Sequence, residues 1–189
     1  MPAPFPHGLW GRIAVLERRD VHDPQNQDVR DVVRLRALDA CEYCLMPTAG
    51  NFHIEHIVAR ANWSAYQSGT LRGPLRLRDR SRRATADHIA NYAWSCSFCN
   101  ERKGVETMGR YGGRLVRFFD PRHDNWPDHF VFPPSSEYGV IIGVTPIGEA
   151  TAEGFGFNDG GAEGPLAARH VAVVKGVYPP AWARVAYSL

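Results

Sequence analysis

Two Cys-x-x-Cys pairs, Cys41/Cys44 and Cys96/Cys99, account for all four cysteines of this 189-residue chain. Each pair can grip one edge of a tetrahedron from a tight turn, so together they can place four thiolates round a single Zn²⁺. The 51 residues between Cys44 and Cys96 exceed the roughly 15–20 of a simple zinc ribbon. A sizeable insertion must therefore fold between the two halves of the clip. Four sulfur ligands leave no open coordination position, which makes such a metal structural.

Cysteine chemistry depends on compartment. No run approaches the roughly 18 apolar residues of a membrane span. The opening MPAPFPHGLWGR also lacks the basic start and apolar stretch of a signal peptide. The expectation is a protein of the reducing cytoplasm, with no membrane partner, whose cysteines are metal ligands and not disulfides. A hydrophobic content of 44% with 22% charged residues is ordinary for a chain that buries a core of its own.

The formal net charge of +2 hides an uneven distribution. Seven arginines (60, 72, 76, 78, 80, 82, 83) stand against the single acid Asp79 between Arg60 and Arg83. Seven acids and no Lys or Arg lie between Asp124 and Ala168. The first segment attracts a polyanion and the second repels it.

The pattern of the chain predicts three parts. Residues 1–27, rich in Pro and turn formers, read as an irregular arm. Residues 28–113 read as a core. Asp28 caps a helix to about Leu38, a strand-like stretch runs from Phe52 to Val58, and a loop and basic insertion occupy about 64–83. Thr85 to Trp94 reads as helix or turn, and Cys99 to Gly104 as a short helix closed by glycine. Residues 114–189 read as a C-terminal extension packed on the core. It has strands over Leu115–Phe119 and Gly139–Thr145, and helices from Pro146 and over Leu166–Lys175.

Inside the clip lies His53-Ile54-Glu55-His56, and directly after Cys99 lies Asn100. Closing the clip brings Asn100 back towards the strand that carries Glu55 and His56. Phosphodiester hydrolysis needs a cation against the developing charge and a base of near-neutral pKa to take a proton from water. Glu55 and the Asn100 side-chain oxygen are hard donors suited to Mg²⁺ or Mn²⁺, and His56 is the base. His53 is either a further metal ligand or a histidine hydrogen-bonded in its strand.

C-x-x-C, then FHIEHIV, then C-x-x-C-N-x-x-K-G together resemble the cysteine-containing branch of the HNH endonucleases over residues 41–104. The resemblance implies an α+β protein with a ββα-metal core, a four-cysteine zinc knuckle and a small C-terminal α/β extension. It implies that His56 is the general base, Glu55 and Asn100 hold the catalytic cation, and Asn91 braces the loop between strand and helix. It also implies structural zinc on Cys41, Cys44, Cys96 and Cys99, and DNA as the partner. A weaker likeness continues through Phe118–Arg122, Trp126, His129-Phe130 and Gly143–Thr151. The chain departs from the family at Ala59, where proline is usual. It departs again in its longer interval from His56 to Asn91, which holds Arg76, Arg78, Arg80, Arg82 and Arg83. Those arginines, with Lys103, are the candidate phosphate contacts; a solvated loop is the plainer reading of the same charges. Two alternatives stay open: a non-catalytic zinc-knuckle DNA-binding module, and a thiol redox protein with one reactive C-x-x-C.

Overall fold

The computed structural model describes residues 9–19, 21–71, 85–133 and 139–183. It is a mixed α+β fold of small antiparallel sheets and short helices round a cluster of four cysteines.

Helix α1 spans Leu9–Glu17 and packs on α2, Gln27–Arg36. The irregular arm expected over 1–27 is therefore partly helical: Ile13 and Leu16, three residues apart on one face, are both buried. The cap of α2 is Asn26, two residues before the expected Asp28. Its side-chain oxygen accepts from the Asp28 and Val29 amides at 3.0 and 3.3 Å. Val29, Val32 and Val33 turn inward at helical spacing.

Strand β1, Phe52–His56, pairs antiparallel with β2, Tyr92–Cys96, in the register Phe52↔Cys96 to His56↔Tyr92. The expected helix or turn over 85–94 is corrected here: it turns only as far as a single 3-10 turn at Ile89–Asn91 and then becomes β2. All five β2 residues are buried, so the strand shows no alternation for a sequence pattern to reveal. Between β1 and β2 the expected loop from residue 64 begins instead as α3, Trp63–Ser68. Trp63 and Tyr66 bury against Val58 and organise that helix as a small satellite core. From Cys96 the chain passes straight into α4, Ser97–Lys103, which packs on both strands and ends at Gly104 with φ +52°.

Beyond α4 come β3 (Met108–Tyr111) and β4 (Arg114–Arg117), joined through Gly112-Gly113. Both glycines have positive φ, as a two-residue hairpin turn requires. This hairpin straddles the expected boundary at 113/114. Then follow α5 (Trp126–His129), β5 (Phe130–Val131), β6 (Ile142–Gly143), α6 (Pro146–Gly154) and α7 (Pro165–Val174). The strand expected over 139–145 pairs only at Ile142-Gly143. Every sheet among the described residues is antiparallel, so the extension is α+β and not α/β.

The extension is not a separate body. One core cluster runs from Ile13 to Ala183, and three of its contacts land on the turn between Cys41 and Cys44. The Trp126 indole donates to the Tyr43 carbonyl at 2.9 Å, the Tyr178 hydroxyl donates to the Cys44 carbonyl at 2.8 Å, and Arg122 pairs with Glu42. Arg122 and Trp126, which fall in the weaker sequence likeness, thus meet the cysteine turn directly.

Candidate functional site

The chain leaves α2 through Leu38 and Asp39, both in the left-handed region, and turns back so that the Cys41 amide meets the Met46 carbonyl at 2.8 Å. That fold presents Cys41 and Cys44 from one tight turn. Cys96 arrives at the end of β2 and Cys99 in the first turn of α4. All four are buried and none is in a disulfide, and their sulfurs lie within 4.8 Å of one another. The Cys44–Cys96 separation is 3.7 Å, close to the edge of about 3.8 Å that bonds of ~2.3 Å give a zinc-thiolate tetrahedron. The donor set and its spacing fit a metal such as zinc, and no other His, Cys, Asp or Glu cluster among the described residues offers a comparable site. A buried guanidinium, Arg169 on α7, donates to the carbonyls of Gly139 and Phe157 and has no carboxylate partner among the described residues.

Along β1 the sequence singled out three residues, and the structure treats each differently. His53 is exposed opposite Ser95. Its side chain forms no hydrogen bond among the described residues and joins no metal cluster, while its backbone stands in the paired β1–β2 ladder. Glu55, two residues on and on the same face of the strand, is covered instead, with 4% exposure. Its Oε1 accepts from Lys103 Nζ at 2.6 Å and its Oε2 from the Tyr43 hydroxyl at 2.7 Å. Burial pushes its carboxyl above the usual range against the opposing pull of Lys103 and Tyr43. Lys103, expected at a phosphate, is 2% exposed and spends its remaining contact on the His56 carbonyl at 3.0 Å. That expectation is corrected: an ammonium turned inwards to a buried carboxylate does not face a nucleic acid.

The same pair bears on the catalytic cation. Asn100 lies three residues before Lys103 on α4, so its side chain leaves the helix about 60° round from the one that reaches Glu55. It is half-buried and forms no side-chain hydrogen bond among the described residues. Both Glu55 oxygens are engaged, and a positive charge already stands against one of them. These residues do not fit an open Mg²⁺ or Mn²⁺ site in this conformation.

His56 ends β1 half-buried. Its Nε2 lies 2.8 Å from Asp87 Oδ1, and its ring meets the Tyr92 ring edge-on at 5.1 Å. Desolvation holds the imidazole below its ordinary pKa, with the Asp87 contact opposing. It is therefore neutral, and able to accept a proton, at pH 7. Asp87 also accepts from Arg60, Nε at 2.7 Å and Nη2 at 2.6 Å. Partial burial works to raise the Asp87 carboxyl, but its bonds to His56 and Arg60 outweigh it and hold the carboxyl low. Asn91 is fully buried. Its oxygen accepts from the Val58 amide at 2.9 Å, and its amide donates to the carbonyls of Val58 and Ala86 at 2.8 and 2.9 Å. It ties the segment leaving β1 to the segment entering β2. Arg76, Arg78, Arg80, Arg82 and Arg83 lie outside the described residues.

Three partners of Glu55 and His56 were not legible in sequence: Tyr43, Asp87 and, through Asp87, Arg60. Tyr43 sits between two zinc-ligand candidates and reads as filler. Asp87 lies 31 residues from His56, and nothing local to it marks the pairing. No protein-family model, curated protein or solved structure matches the chain.

Proposed function

We propose that this chain is an HNH-type endonuclease that hydrolyses phosphodiester bonds in DNA, built on zinc held by Cys41, Cys44, Cys96 and Cys99. The observation that carries the reading is His56, a neutral and partly exposed imidazole at the end of β1. Asn91 fixes the segment behind it, and β2, its pairing strand, runs through Cys96 into α4, whose Lys103 holds the His56 carbonyl. An imidazole of that kind can take the proton of a water attacking phosphorus. The arginine-rich interval between β1 and β2 supplies charge for a polyanion.

Zinc here organises the fold and leaves no position for substrate. An ion at Glu55 and Asn100 enters only if the Lys103 ammonium leaves the carboxylate, and the hydrolytic roles assigned are those of side chains alone. That buried Glu55–Lys103 pair favours the second reading, a zinc-stapled DNA-binding module in which β1 has no hydrolytic role.

Incubation of supercoiled plasmid with the purified protein, with and without added Mg²⁺ or Mn²⁺, separates the two. The nuclease reading expects nicked or linear product from wild type, reduced on the order of 100-fold or more in His56→Ala with zinc content unchanged. DNA retention without cleavage under every metal condition leaves the binding module.

A further inference from the structure

His56 is held on three sides. Asp87 Oδ1 faces Nε2 at 2.8 Å, Tyr92 lies edge-on to the ring, and Lys103 Nζ holds the residue's own carbonyl at 3.0 Å. Tyr92 is fixed in turn by its hydroxyl, which donates to the His22 carbonyl at 2.6 Å. An ionised carboxylate only accepts hydrogen bonds, so the nitrogen facing Asp87 must carry the proton. In a neutral imidazole the other nitrogen, Nδ1, then bears the lone pair. Nδ1 has no partner among the described residues, and the side chain keeps 17% of its surface exposed. Arg60 places two donors on the same carboxylate oxygen, and Asp87 is thereby kept as an anion with a fixed direction.

We infer that Asp87 is a positioning residue that locks His56 in the Nε2–H tautomer and so makes Nδ1 the atom that accepts the proton of the attacking water. This rests on the reading of His56 as the base. In the step, water oxygen bonds to phosphorus as its proton passes to Nδ1. The bond from phosphorus to the 3′ oxygen breaks, and that oxygen leaves with the electron pair and is protonated from solvent. The imidazolium formed carries its new charge beside Asp87, which holds the ring in the same orientation before and after transfer. A carboxylate serving only to tie residue 87 to the end of β1 would hold the same tautomer, but its loss in a folded variant would leave kcat unchanged.

The test is long-range ¹H–¹⁵N NMR of the full chain, with the His56 signals assigned by their absence in His56→Gln. Wild type is expected in the Nε2–H form. Asp87→Asn, whose amide can donate to the ring, is expected to shift the population towards Nδ1–H. Cleavage kinetics in parallel should show kcat lowered on the order of 100-fold with KM within about twofold, and partial recovery in Asp87→Glu. Should Asp87→Asn fail to fold, the wild-type tautomer and the Asp87→Glu kinetics still decide. Predominant Nδ1–H in wild type overturns the inference, as does an unchanged tautomer or unchanged kcat in a folded Asp87→Asn. A wild type that holds the Nε2–H form yet cuts no nucleic acid supports the Asp87 lock and removes the nuclease reading beneath it.

Discussion

The β1–β2 pair is flanked by two polar clusters of opposite construction. The cysteine cluster is built from two local pairs, each delivered by a single turn, so only one long-range closure is needed to bring four ligands together. The Glu55–His56 cluster is built from single residues 12, 48 and 31 positions from their partners Tyr43, Lys103 and Asp87. Every contact there depends on the fold as a whole. The first cluster presents four like donors, thiols whose mutual crowding a bound cation would resolve. The second has already matched its charges, Glu55 to the Lys103 ammonium and Asp87 to the Arg60 guanidinium. A donor set left without internal counter-charge points to a bound metal; one that is internally neutralised must be opened before it can bind anything.

The contrast sets the order of expected effects. Cys96→Ser should be the most damaging change. Structural zinc contributes ~10 kcal/mol or more in small metal-organised units, so loss of one ligand should abolish stoichiometric zinc and the cooperative thermal transition together. A variant that melts like wild type with no bound metal would show that the core packing alone holds the turn.

Lys103→Met should come next. It leaves Glu55 buried with one hydrogen-bond partner, at a cost of about 3–5 kcal/mol in denaturant unfolding. The double variant Glu55→Gln/Lys103→Met should recover much of that loss, because no unpaired charge remains. Equal instability of the single and double variants would mean that shape, and not charge matching, governs the cluster.

His53→Ala should be the smallest, within about 0.5 kcal/mol of wild type, because the side chain is exposed and unpaired among the described residues. A large loss of zinc or stability in that variant would give His53 a ligand role the geometry does not show.

The cysteine clip, the β1 strand, the glycine-closed α4 and the helices α2, α6 and α7 were all legible, because each rests on periodicity, capping or ligand spacing within a few residues. Helices α1 and α3 were hidden in stretches read as irregular. They are held by a few long-range apolar contacts, Ile13 and Leu16 on α2, and Trp63 and Tyr66 on Val58, which propensity does not report. Strand β2 was hidden by its uniform burial. At the site, the sequence did not reveal the states of the residues it singled out. Glu55 looks like an open ligand in sequence and is a buried acceptor in the fold, and Lys103 looks like a phosphate contact and is its counter-ion.

The amino-acid order alone was enough to place four thiols about one centre and to set a glutamate–histidine step on the strand inside that clip. Ligand type, turn chemistry and side-chain alternation act over short distances along the chain. Which charges those side chains meet was decided by the packing of α4 on β1 and by the return of residue 87 to the end of that strand. Coulomb and hydrogen-bond energies depend on separation in space and on exclusion of water. Neither quantity exists until segments dozens of residues apart have come together.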